Sequence, residues 1–275
     1  VYKRQRTLTK EPEANYSKEI VFGEFHNKTK NYFSGPKSEL PEESGGWCDY
    51  MVELEFFKSM PEGIRKDAWF LTKVTMTGQE RNPETGRYPL LNWDDPATNQ
   101  KHPYWKKNIE SSDWVFNYDD GYYETKGISS ASGKTRMIFR YADILLLYAE
   151  AVAYGTKSID DLAFDCMWRV QERAGVPLIS KDVTKEYFQK AVLDERRWET
   201  AGMEHSCMGR FFTMQRHEIL HLQKNYRDAA ELSLNPNLTL SEEFYYFPIP
   251  DNELLIVPGL KAVSYTHLTL PTSDL

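Results

Sequence analysis

Residues 140–151 read Arg140-Tyr141-Ala142-Asp143-Ile144-Leu145-Leu146-Leu147-Tyr148-Ala149-Glu150-Ala151, and this stretch decides the fold. It is free of proline and glycine and rich in alanine and leucine, which favour helix. The surrounding sequence predicts a helix from about Ile138 to Tyr154, closed by Gly155 as a left-handed cap. Its longest apolar run, Ile144 to Tyr148, is far too short to cross a bilayer. Arg140 and Glu150 sit among apolar neighbours, so they are expected in ion pairs, because a charge near a core must be paired or hydrogen-bonded.

Three more helices are expected on the C-terminal side. Ser158, with Asp161 three residues on, reads as a capping-box-like start. That helix stops at Gly175, with Pro177 just beyond. The next begins near Thr184 and reaches Gly202, with Tyr187, Phe188, Ala191, Val192 and Trp198 at helical spacing. The last covers Glu204 to Lys224 and turns Met208, Phe211, Phe212 and Leu220 to one side as core. Short loops between successive helices imply antiparallel hairpins stacked in a tetratricopeptide-like manner, although no clean repeat of about 34 residues is visible. Residues 225–263 become loop-like, and Phe244-Tyr245-Tyr246-Phe247-Pro248-Ile249-Pro250 is extended.

Toward the N-terminus the character changes. In residues 6–137, prolines and glycines such as Pro36, Gly45, Gly46, Pro61, Gly63, Pro83, Pro89 and Pro96 exclude long helices. Tyr16 to Phe22 and Trp69 to Met76 are the strand candidates. Aromatic side chains fill the gaps between the breakers, which argues against disorder and for function.

The helix at 140–151 resembles the one that marks the SusD/RagB family. Val170-Gln171-Glu172-Arg173-Ala174-Gly175, Leu193-Asp194-Glu195-Arg196-Arg197-Trp198-Glu199 and Phe247-Pro248-Ile249-Pro250-Asp251-Asn252-Glu253 resemble further family blocks in order. Trp168 and Gln171 depart from the usual pattern, as do Met203, Glu204, Ser206 and Gly209, so the polar network of the last helix is in doubt. The resemblance covers about residues 16–260 and implies a mainly α fold. Tetratricopeptide-like hairpins (138–224) would carry a long irregular segment (6–137) and an extended C-terminal segment (225–263), all of them the C-terminal part of one domain spanning 6–263. It implies non-catalytic glycan capture at the outer-membrane surface, as a lipoprotein anchored through an N-terminal lipid that lies outside this sequence. It also implies delivery to a SusC-like TonB-dependent transporter, with no cofactor.

Arg140, Glu150, Arg173, Glu195 and Arg196 are expected to form structural ion pairs, since the planar guanidinium meets a carboxylate at two points. The glycan itself is expected on Trp93, Tyr104 and Trp105, with Trp47 next, because sugar C–H faces pack on aromatic rings held in loops. The alternative reading of these rings is that they pin irregular loops onto the helices.

The sequence offers two other readings. His217-Glu218-Ile219-Leu220-His221 fits HExxH, which on a helix presents two zinc ligands and a general base. No third ligand follows at the usual spacing, so a zinc peptidase is the alternative and no metal is expected. A plain helical-repeat scaffold for protein binding is the other. Asp94-Asp95 and Asp119-Asp120 read as solvated turns, and Asp160-Asp161 as a first helical turn that suits the helix dipole. No catalytic residue is expected. The net charge of -7 disfavours nonspecific nucleic-acid binding. Cys48, Cys166 and Cys207 are widely spaced and odd in number, so they read as free thiols. Val1 to Gln5 and Ser264 to Leu275 resemble translated sequencing adaptors, so residues 1–5 and 264–275 are expected to be passive tails with low burial.

Overall fold

The computed structural model describes residues 18–26, 33–34, 37–107, 109, 114–117, 119–125, 131–133, 135–202, 206–222, 227–234 and 249–256. The terminal segments 1–5 and 264–275, and residues 244–248, lie outside them. The chain falls into two compact units, Val1–Arg210 and Phe211–Leu275.

In the first unit, β1 (Ile20–Glu24), β2 (Phe33–Ser34) and a 3-10 turn (Glu42–Ser44) precede two short helices, α1 (Leu54–Ser59) and α2 (Ile64–Trp69). Short strands follow: β3 (Phe70–Leu71), β4 (Lys73–Thr75), β5 (Leu90–Asn92), β6 (Tyr104–Trp105), β7 (Trp114–Phe116), β8 (Tyr123–Thr125), β9 (Ala131–Ser132) and β10 (Arg136–Arg140). They pair antiparallel in twos, β1 with β10, β2 with β9, β3 with β6, β4 with β5 and β7 with β8. The dense breakers act as expected, since α1 and α2 each hold only six residues.

The helical part comprises α3 (Tyr141–Tyr154), α4 (Asp161–Ala174) and α5 (Lys185–Glu199), followed by α6 (Ser206–Arg216), which crosses the boundary between the units. Asp160 Oδ1 accepts the Ala163 N–H at 2.8 Å, so Asp160 rather than Ser158 caps α4. Gly175 closes α4 in the left-handed conformation, at φ 70°. Thr184 caps α5 through the Tyr187 N–H at 3.2 Å. Gly155 differs from expectation: its φ of -72° is extended. Residues 136–140 also differ, forming a strand against β1, so α3 starts only at Tyr141.

The helical core is apolar. Leu146, Ala149, Met167, Phe188 and Val192 are fully buried, α3 packs on both α4 and α5, and the Phe164 and Phe188 rings meet edge-on at 4.8 Å. Each large side chain buried this way contributes roughly 1.5–3 kcal/mol. Antiparallel hairpins joined by short loops make the fold mainly α and tetratricopeptide-like, with the irregular segment beside them, as expected.

The irregular segment has two cores of its own. One gathers Leu40, Leu71, Val74, Tyr104, Ile109, Trp114 and Tyr123. The other gathers Val52, Phe56, Met60, Trp69, Phe70 and Trp105, and reaches Trp198 of α5. Backbone approach also joins the two parts. A Cβ on Gly63 would lie 2.8 Å from the carbonyl oxygens of Ala174 and Gly175, so only glycine lets the start of α2 rest on the end of α4.

The second unit holds the end of α6, then α7 (Ala229–Leu234) and α8 (Asp251–Ile256). Helix α6 was expected to run to Lys224 but stops at Arg216, and Phe212, expected in the core, is 46% exposed.

Candidate functional site

Two loops of the irregular segment offer aromatic rings to solvent. In the first, residues 47–50 fold back on 37–40. Trp47 N–H donates to Lys37 O at 2.7 Å, Cys48 N–H to Leu40 O at 3.0 Å and Tyr50 N–H to Ser38 O at 2.9 Å. A Cβ on Gly46 would lie 2.1 Å from Leu40 O, so glycine is required for this close return. Cys48 takes a left-handed φ of 54° and packs inward, while Val52 is fully buried. Between these anchors Trp47 is 50% exposed and Tyr50 48% exposed. Lys37 Nζ lies 5.5 Å from the Trp47 ring centre.

The second loop runs from Asn92 to Lys101. Trp93 N–H donates to Thr72 O at 3.1 Å, and the Thr98 hydroxyl closes the turn on Trp93 O at 2.9 Å. Lys101 Nζ donates to the Thr98 carbonyl at 2.6 Å. Trp93 is half-buried, its ring edge-on to Phe57 at 6.1 Å. Asn99 laces the two loops together: its N–H meets Glu43 Oε1 at 2.6 Å and its amide meets Glu42 Oε2 at 3.4 Å. Exposed Glu42, Asp94 and Asn99 thus stand on the same two loops as Trp47 and Trp93.

Tyr104 and Trp105 require a correction. They form β6, pair with Leu71 and Phe70 of β3, and are 0% and 8% exposed. Trp105 packs 5.1 Å from the Phe70 ring. Neither has a face for a ligand. They hold the irregular segment together.

A cleft of about 340 Å³ opens beside the Phe57–Trp93 contact. Phe57, Phe70 and Phe116 line it together with Glu62, Lys66, Asp67, Lys73 and Lys106. The Lys106 ammonium donates to the Asp67 carbonyl and sits 5.0 Å from the Phe116 ring centre. Burial pushes Lys106 down to about 8, against the opposing pull of Asp67.

The charged residues of the helices meet around Glu199, which is buried at the end of α5. Arg140 Nη1 lies 3.0 Å from Glu199 Oε1, Arg65 Nη1 lies 3.0 Å from Oε2, and Arg173 pairs with Oε1. Arg65 also reaches Glu195 at 2.5 Å, and Arg173 reaches Glu19 at 2.6 Å. Arg196 pairs with Glu150 at 2.8 Å. Burial alone would raise the Glu199 carboxyl, but Arg173, Arg140 and Arg65 together hold it well below the usual carboxylate range. The Glu195 carboxyl is raised by burial, against the pull of Arg65. Sequence reading missed Arg65, Glu19 and Glu199. The spacing Phe188, Val192, Glu195, Glu199 puts all four on one helical face, which was the available signal.

The HExxH stretch is not helical throughout. Helix α6 ends at Arg216, His217 and Glu218 lie in a turn, and Glu218 adopts a left-handed φ of 56°. The two histidines therefore lack the one-turn spacing on a helix that the motif needs. Among the described residues no group of three metal-ligating side chains gathers.

A sequence model described as the SusD family matches residues 18–265. No curated protein matches the chain in sequence. Solved structures resemble its fold. A SusD superfamily protein from Parabacteroides distasonis superposes with a TM-score of 0.65 at 17% identity, over 91% of this chain and 50% of that one. One from Bacteroides vulgatus gives 0.61 at 19% identity, over 92% and 52%. Surface glycan-binding protein A from Bacteroides thetaiotaomicron, solved with laminarihexaose, gives 0.56 at 17% identity, over 91% and 52%. The chain spans about half the length of these structures.

Proposed function

The chain belongs to the SusD family, and from that premise we propose that it is a non-catalytic glycan-binding part of an outer-membrane surface lipoprotein. Trp47 carries the reading. A tryptophan held half-exposed on a hydrogen-bonded loop offers a large rigid face at little entropic cost. Trp93 and Tyr50 add aromatic area, and Glu42, Asp94 and Asn99 supply partners for sugar hydroxyls. The similarly folded protein solved with laminarihexaose supports a carbohydrate as ligand class. Delivery of the glycan to a SusC-like TonB-dependent transporter belongs to the same proposal and rests on the family resemblance. So does the division of residues 6–263 as part of one larger domain, with tails at 1–5 and 264–275.

The zinc peptidase reading loses its support with the helix break at His217. The test is affinity electrophoresis of the full chain through gels containing neutral and acidic polysaccharides. Retardation by at least one polysaccharide supports the proposal, and uniform mobility in all of them contradicts it.

A further inference from the structure

Resting on that glycan reading, we propose that the cleft beside Phe57 and Trp93 is an anion subsite, where the Lys106 ammonium receives the carboxylate or sulfate ester of an acidic sugar. The cleft is two-sided. Phe57, Phe70 and Phe116 offer apolar surface for ring C–H groups, and a polar wall faces them. In that wall Lys66 is answered by Glu62 at 2.6 Å, and Lys73 donates to Asn92 Oδ1 at 2.6 Å. Lys106 differs. It is 8% exposed, it donates to a main-chain carbonyl, and no carboxylate among the described residues lies within ion-pair distance.

A buried ammonium normally carries a counter-charge. The charged groups lining the cleft are Lys66, Lys73 and Lys106 against Glu62 and Asp67, so the local balance is positive within a chain of net charge -7. Burial depresses the pKa of Lys106 to about 8 against the pull of Asp67, and an arriving anion would raise it. A volume of about 340 Å³ lies at the small end of ligand pockets, suiting one sugar residue of a longer chain whose neighbours rest on the tryptophan loops.

The test is calorimetry on the full chain with matched tetrasaccharides: galactotetraose against tetragalacturonate, mannotetraose against tetramannuronate, and sulfated galactotetraose. At least one acidic form should bind roughly ten-fold or more tightly than its neutral match. Which acidic arm responds separates carboxylate from sulfate. Lys106→Met should abolish the preference for the acidic form. Should that variant fail to fold, the unaltered chain at about pH 10 gives the same readout, because the ammonium is lost there while both anions stay ionised. Equal affinity for acidic and neutral forms, or a preference that survives both Lys106→Met and high pH, overturns the inference and leaves the glycan reading standing. Absence of binding by every polysaccharide and tetrasaccharide, neutral or acidic, overturns both.

Discussion

Arg65 Nη1 lies 3.0 Å from Glu199 Oε2, joining residues 134 apart in sequence, with both side chains 1% exposed. The pair ties α2 of the irregular segment to the end of α5. Arg140 and Arg173 approach the same carboxylate from β10 and α4, so four elements converge on one buried charge. Arrangements of this kind add little net stability when whole, but losing one member leaves the others buried and unanswered.

Glu199→Gln should therefore destabilise the chain by about 3–5 kcal/mol. The volume is unchanged, so the loss reports charge and not packing. Denaturant unfolding measures it, and a change below about 0.5 kcal/mol would show that the arginines find other partners.

The same carboxylate sets a pH dependence. Its folded pKa is depressed, so its contribution is complete above the ordinary glutamate value of 4.5 and is lost as pH falls through that value and below. The raised Glu195 carboxyl works in the opposite sense and above 4.5, by taking up a proton more readily when folded. Stability should fall as pH drops below about 4.5, where Glu195 is protonated whether the chain is folded or not, and Glu199→Gln should flatten that slope.

How far the sequence could be read depended on whether the deciding contacts were local. The α4 stop at Gly175 and the α5 start at Thr184 lie in short-range capping chemistry and were legible. Tyr104 and Trp105 were not. Their surroundings are rich in breakers and look like surface loop, yet pairing with Phe70 and Leu71, more than thirty residues earlier, places them in a core. Arg65 was hidden likewise, because its partners arrive from α5. The end of α6 at Arg216 was missed because the stretch through His221 carries no glycine or proline, and the turn falls on Glu218 in a left-handed conformation.

Trp105→Ala should cost about 3–5 kcal/mol, as for other large buried aromatics. Trp47→Ala should stay within about 0.5 kcal/mol of the unaltered chain, because half its surface is already in water. Thermal melts of the two variants side by side separate core from platform. Equal losses would mean that Trp47 is also a packing residue.

Gly46→Ala should act on binding through backbone. The added Cβ collides with Leu40 O, so the 47–50 segment must lift from 37–40 and carry Trp47 with it. Glycan affinity should fall as far as in Trp47→Ala, together with a lowered Tm. Retained affinity would show that the loop's return is not what positions the ring.

On the proposed function, the rings on these two loops hold a glycan. Titration calorimetry should be run with a polysaccharide that retards the unaltered chain, comparing that chain with the Trp47→Ala, Trp93→Ala doubly substituted form. The double variant should lose affinity roughly ten-fold or more, equivalent to about 1.4 kcal/mol, with the fold intact by circular dichroism. Undiminished affinity in the folded double variant would contradict it and move the binding surface away from these loops.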